Sequence, residues 1–179
     1  MIAWAAVVGL WASAGLALAF GDPVGALVLG LAALPATAIA AIAAYRWSAA
    51  FVTTMLLLSA WASASGRVPQ VFPWDDLEHA LLAFGCCWFV GDALRAVRAP
   101  SALIVAAALG ATMVFAVTWE IVEWTADQML NTNLSPSDAD TIGDLVAGLI
   151  GASAASRVLI LTTNYRAATP GEGMSESPR

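Results

Sequence analysis

Six carboxylates and the chain's single histidine fall in three short segments: Asp75, Asp76 and His79; Glu120 and Glu123; Asp140 and Asp144. On a helix, residues three or four apart share a face. Asp76 and Asp75 stand three and four residues before His79, Glu120 and Glu123 are three apart, and Asp140 and Asp144 four apart. Three helices could therefore each aim a polar pair in one direction, and convergence would make a pocket of carboxylates around one imidazole. So many like charges away from water must share protons or recruit a cation. Asp, Glu and His are ordinary ligands of divalent ions, so a metal is one resolution and shared protons the other. The sequence leaves both open. With a metal polarising a phosphoryl oxygen or activating a water, Glu120 or Glu123 would be the base.

Plainer roles compete at the helix starts. Asp75, Asp76 and Glu78 could serve as N-terminal charges favoured by the helix dipole, and Asp138 or Asp140 could cap the helix that follows. Glu120, Glu123, His79 and Asp144 sit at or within apolar runs, where an ionisable group is costly and implies a function. Asp92 and Arg95, three apart, read as a structural ion pair. Cys86 and Cys87 are adjacent in an apolar run and read as small buried residues. The chain has no C-x-x-C spacing, no G-x-S-x-G elbow and no phosphate-binding glycine loop.

The elements that must position these groups are membrane spans. The chain has 179 residues, 60% hydrophobic and 11% charged, with a net charge of -6 and no lysine. A soluble domain wets its surface with about a quarter charged residues. The acidic balance argues against nucleic acid as a partner. A crossing takes roughly 20 apolar residues. Six segments qualify, at about 2–20, 24–45, 48–64, 76–94, 101–124 and 138–161, giving an all-α, polytopic bundle over residues 1–163. Pro35 is expected to kink the second. The first lacks the positive charge that opens a signal peptide and reads as a retained helix. Residues 164–179, rich in Gly, Pro, Ser and Glu, read as a disordered cytoplasmic tail.

Arginines set the expected orientation. With both termini in the cytoplasm, Arg46, Arg95, Arg98, Arg157, Arg166 and Arg179 lie inside and Arg67 outside, six of the seven. The histidine and its acids then share the outer side, where Arg67 alone could balance them. Trp61, Trp74, Trp119 and Trp124 would mark the outer interface and Trp4 and Trp47 the inner one; Trp11 and Trp88 fall mid-span as packing residues. Gly143, Ala147, Gly151 and Ala155 recur every four residues along the sixth helix. Such a smooth stripe suits close helix packing, within the chain or in a homo-oligomer.

The motifs resemble a known family. Trp74-Asp75-Asp76-Leu77-Glu78-His79 is similar to the Asp-x-x-x-His motif of the YjdF-like bacterial inner-membrane proteins, a domain of unknown function. Trp119-Glu120-Ile121-Val122-Glu123-Trp124 resembles that family's Glu-x-x-Glu-Trp motif. Asp140-Thr141-Ile142-Gly143-Asp144, with Gly151-Ala152 beyond, resembles its Asp-Thr-x-x-Asp motif and following Gly-Ala. VanZ-like proteins share a more distant Asp…His flavour. The resemblance spans about residues 65–155 and implies a multi-pass protein of the bacterial inner membrane. It carries over Asp75, His79, Glu120, Glu123, Asp140 and Asp144 as motif positions. The family's aromatic, glycine-rich stretch before the fourth helix is reduced here to Ser65-Gly66-Arg67.

These observations lead to three expectations. The first is a carboxylate–histidine site at the outer leaflet, with Asp75, Asp76, His79, Glu120, Glu123, Asp140 and Asp144 as candidate ligands of a divalent metal and a membrane lipid or lipid-linked head group as substrate. The second is proton- or cation-coupled transport, weakened because the acids gather on one side. The third is an assembly protein whose acids only hold helices together.

Overall fold

The structure, a computed structural model, describes residues 1–43, 46–65, 74–130 and 137–168. Among these are six helices: α1 (Ile2–Ala19), α2 (Pro23–Ala43), α3 (Trp47–Ser65), α4 (Trp74–Ala96), α5 (Ser101–Leu130) and α6 (Asp138–Ala168). Each is long and apolar enough to cross a membrane. The expected loops around Arg67 and Asn131, and the tail from residue 169, lie outside the described residues. The sixth helix runs past the expected 161 as far as Ala168, so 164–168, assigned to the tail from composition, are helical. α2 runs as one helix with Pro35 inside it.

Local chemistry explains the ends. Gly21, at φ +79°, terminates α1, and the Asp22 amide closes back on the Ala17 carbonyl at 2.9 Å. The Asp22 carboxylate then accepts from the Gly25 amide at 2.8 Å, capping α2 with Pro23 in the first helical position. α4 ends with Arg98 at φ +57° and the Ala99 amide on the Leu94 carbonyl, just before Pro100. The cap of α6 is Ser137, whose hydroxyl accepts from the Asp140 amide at 3.2 Å. Capping therefore falls to Ser137 and not to Asp138 or Asp140.

The helices pack as two groups of three. α1, α2 and α3 enclose an alanine-rich core with Leu10, Leu29, Val52 and Leu56. α4, α5 and α6 enclose a second core with Ala83, Cys87, Ala108, Ala152, Ala155 and Leu159. The α3–α4 contact joins the groups, helped by the mutually edge-on or tilted rings of Phe51, Phe84 and Trp88. Trp88 is thus the packing residue expected. Trp11 differs: it is 47% exposed, and its indole N–H donates to the Thr37 hydroxyl of α2 at 3.1 Å.

The most extensive contact is between α4 and α6, which run parallel with α5 antiparallel beside them. Lipid tails give helices no hydrophobic reason to associate, so small residues that let backbones approach must supply the contact. The stripe on α6 does this. A Cβ on Gly151 would collide with the Ala80 carbonyl oxygen, and one on Gly148 would touch Ala83. Further along, Gly91 of α4 receives the Leu159 side chain, and the Cys87 thiol meets the Ser156 hydroxyl at 3.5 Å. The small-residue face, a candidate for contact between copies, is filled within the chain by α4.

These contacts rank three glycine substitutions. Gly151→Leu, forced against backbone, should cost the 1–3 kcal/mol typical of overpacking or more. Gly91→Ala meets only the movable end of Leu159 and should cost less, and Gly30→Ala, with nothing near its added carbon, should be neutral. Thermal unfolding in detergent measures the order, and Gly151→Leu matching Gly30→Ala would refute the packing account.

Candidate functional site

α4 and α6 start on the same side, so the sixth residue of one and the seventh of the other, His79 and Asp144, lie ~8–9 Å in from their helix starts. Glu120 lies ~28 Å along α5, which runs the opposite way, and so reaches the same level. The α4–α6 contact closes the gap sideways. His79 stands among three carboxylates, two near one ring nitrogen and one near the other. Its Nε2 is 3.8 Å from Asp75 Oδ1 and 3.8 Å from Asp144 Oδ1, and its Nδ1 is 3.8 Å from Glu120 Oε1. Ligand atoms of Asp75, His79 and Asp144 all lie within 4.8 Å of one another, as do those of His79, Glu120 and Glu123.

Burial makes this arrangement expensive. Glu120, Glu123 and Asp144 are only 5–6% exposed. His79 is 15% exposed at its side chain, whereas Asp75, at 58%, lies at the rim. The Glu123 Oε1 accepts a hydrogen bond from the Trp119 indole at 2.8 Å. Thr141 lies beside Glu120. Glu120 Oε2 and Asp140 Oδ2 are buried without a hydrogen-bond partner. A buried unpaired carboxylate oxygen is costly.

The 3.8 Å separations have meaning too. They are too long for N–H···O hydrogen bonds, which span about 2.7–3.2 Å. Two ligands of one ion at bonds of about 2.1 Å lie ~3.0–3.4 Å apart when neighbours and ~4.2 Å apart when opposite, so 3.8 Å falls between the two and ligation would need a shift of a few tenths of an ångström in the side chains.

Of the seven candidate ligands, the structure gathers Asp75, His79, Glu120, Glu123 and Asp144 into the two groups. Asp76 and Asp140 are in neither. Asp76 turns to the α4–α6 contact, where a Cβ on Gly143 would lie 3.3 Å from its Oδ1. Asp140 sits one turn above Asp144 with its unpaired oxygen. Glu78 points away to Ser59 of α3. Among the described residues, the ion pairs of these acids all run to His79, and Arg67 lies outside the described residues. Composition marked Trp119 as an interface residue, yet it is half-buried, stacks on Phe115 and orients Glu123. The four-residue spacing of Trp119 and Glu123 held that signal. The other tryptophans assigned to the interfaces, Trp4, Trp47, Trp61, Trp74 and Trp124, are exposed.

The opposite end of the bundle carries a clasp. Asp92 and Arg95 pair at 3.7 Å, the Ser48 hydroxyl of α3 donates to Asp92 Oδ2 at 2.7 Å, and Arg46 donates to the Asp92 carbonyl at 2.6 Å. Arg95 also donates to the Leu159 carbonyl and to the Thr162 hydroxyl of α6. The ion pair expected from spacing is therefore part of a three-helix joint.

Six apolar helices with an ionisable cluster near one end make this a multi-pass membrane protein. Residues 1–165 match the family described as predicted membrane protein (DUF2238), and the chain belongs to it. The YjdF-like resemblance is consistent with this match, whereas the comparisons carry no link to VanZ-like proteins. No curated protein and no solved structure matches the chain.

The crowded acids set one expectation for the metal-free protein. Glu120→Gln removes a buried charge among like charges and should raise the unfolding temperature in chelator by a few degrees, as ~1 kcal/mol would. If the acids served only to hold helices together, the same substitution would lower it. Thermal unfolding with chelator present decides the sign.

Proposed function

We propose that the helix ends around His79 form a divalent cation site of a multi-pass bacterial inner-membrane protein, placed at the outer leaflet to engage the head group of a lipid or lipid-linked substrate. The observation that carries this is the buried Glu120 Oε2, unpartnered in a cluster where His79 has carboxylates on both nitrogens. Three features support a cation over shared protons. Imidazole and carboxylate oxygens lie too far apart to hydrogen bond. The donors are oxygens plus one nitrogen, a set that suits a borderline ion such as zinc or manganese. The cluster is also near one end of its helices, where a head group could reach it. A bound ion would polarise an oxygen of a phosphorylated head group, and Glu120 is then the candidate base. Glu123, held by Trp119, is better suited to ligation or orientation.

The transport alternative lacks comparable support. Between this cluster and the Asp92–Arg95 clasp, the core contacts of α4 are made by small and apolar side chains and the Cys87–Ser156 pair. Asp92 itself is engaged by Ser48 and Arg95.

Metal analysis of purified protein is the direct test. The wild type should hold stoichiometric zinc or manganese, and His79→Ala and Glu123→Gln should lose it. Adding the ion at a hundredfold over its dissociation constant should stabilise the wild type by about 2.7 kcal/mol and His79→Ala hardly at all. A wild type that binds no metal and gains no stability from it would sink the cation reading.

Orientation has its own check. Asp138→Cys should react with a membrane-impermeant maleimide on intact cells, and Arg98→Cys only after permeabilisation, because both positions are exposed and lie at opposite ends of the bundle. The native thiols would interfere little, Cys87 being buried and Cys86 half-buried. The reverse labelling pattern would put the cluster on the cytoplasmic side.

A further inference from the structure

The two groups of donors around His79 share its ring but not its nitrogens. Two carboxylate oxygens, from Asp75 and Asp144, stand 3.8 Å from Nε2, and one, from Glu120, stands 3.8 Å from Nδ1. Glu123 joins His79 and Glu120 on the Nδ1 side. An imidazole ligates only when neutral, with one nitrogen bare and a proton on the other. One ion can therefore take one side of this ring. The chain has no second histidine to serve the other side.

Three observations choose the side. The first is where the proton goes. Two anionic oxygens at Nε2 attract an N–H more than one at Nδ1, so the proton belongs on Nε2 and Nδ1 is left bare. A bare Nδ1 beside Glu120 Oε1 sets two acceptors together, a repulsion that a cation between them removes. The second is the unmet oxygen. Among the described residues the buried carboxylate oxygens without a partner are on Glu120 and Asp140, and of these two residues only Glu120 belongs to either donor group. The third is what stands behind the carboxylates. Ligating carboxylates are themselves hydrogen-bonded. The Trp119 indole holds Glu123 at 2.8 Å, and Thr141 lies beside Glu120. Asp75, by contrast, is exposed at the rim. Two glutamates also neutralise a divalent ion, as burial requires.

Given the cation reading above, on which this rests, we infer that the ion is held by His79 Nδ1, Glu120 and Glu123, and that Asp144 is a positioning residue that keeps the ring proton on Nε2. A histidine that ligates a metal commonly donates its other N–H to a carboxylate, which fixes the tautomer and the ring orientation. Asp144 is the buried carboxylate on that side. Its oxygen has to close by about 1 Å to accept the hydrogen bond. Asp75, solvated, adds less. Three protein donors leave the ion an open position for a substrate oxygen, as catalytic sites do.

Because His79 is the single histidine, one resonance pair reports the site. The full chain, purified in dodecyl maltoside through a tag without histidine, is grown with nitrogen-labelled histidine and loaded with a spin-active cadmium isotope in place of zinc. Nuclear magnetic resonance should show cadmium coupled directly to Nδ1 while Nε2 keeps its proton. Cadmium coupled to Nε2 overturns the inference and leaves the cation site standing. So does stoichiometric cadmium coupled to neither nitrogen. Protein that takes up no cadmium, zinc or manganese overturns both. Asp144→Asn should weaken cadmium binding roughly 10- to 100-fold, yet at saturation it should still hold a stoichiometric ion coupled to Nδ1. Glu120→Gln should hold none at that concentration. Wild-type affinity in Asp144→Asn overturns the positioning role, and failure to bind at saturation makes Asp144 a ligand and overturns it equally. Should Asp144→Asn not fold, the wild-type coupling still decides which nitrogen meets the ion.

Discussion

The close approach of α4 and α6 is the constraint on which the rest depends. A glycine at 151 lets one backbone come up to the Ala80 carbonyl of the other, and no larger residue would. In water such contacts are incidental to burying apolar surface. In lipid they are the main source of cohesion, because tails solvate leucine as well as another helix does. The same approach brings His79 of α4 beside Asp144 of α6. The polar cluster is thus a consequence of how small residues are distributed, since neither helix could offer those groups to the other at an ordinary interhelical distance.

Two elements at opposite ends hold this pair in register. The Asp92–Arg95 clasp ties α4 to α3 and α6 through charge-assisted hydrogen bonds at one end. At the other, the Ser137 cap starts α6 so that Asp140 and Asp144 face inward. The clasp resembles an ordinary structural ion pair in being satisfied: each charge has a partner of the opposite sign. The His79 cluster has one imidazole for four nearby carboxylates and leaves an oxygen of Glu120 unmet. The contrast within one molecule supports the proposed cation site at the His79 cluster over a purely structural role for its acids.

Much of this was legible in the sequence, for physical reasons. Apolar runs of membrane length, punctuated by Gly21-Asp22-Pro23, Arg98-Ala99-Pro100 and Ser137, leave few alternatives to six helices, because unpaired backbone groups cannot face lipid. Alternation of direction then puts three acidic segments at one level, and helical spacing puts each pair on one face. Side-chain direction was harder. Asp76 and Glu78 share a segment with His79, yet one turns into the α4–α6 contact and the other to Ser59, a choice set by the rotation of α4. Trp119 was assigned to the outer interface from composition, which does not disclose its stacking on Phe115 or its bond to Glu123.

Energetic arguments weigh against the assembly reading of the acids. Holding helices by carboxylates requires donors or cations between them, and here they are His79 of α4, 3.8 Å from Glu120 and Asp144, Thr141 of α6 beside Glu120, and the Trp119 indole from the same helix as Glu123, few for so many buried acids. Burying several acids without compensation costs several kcal/mol each. Glycine–backbone packing and the distant clasp already join α4 to α6 without them. Groups that raise the free energy of the folded state, in a bundle that has other means of cohesion, support the proposal that they bind a ligand. A divalent ion at the proposed site would remove the repulsion and satisfy the unmet oxygen of Glu120 together.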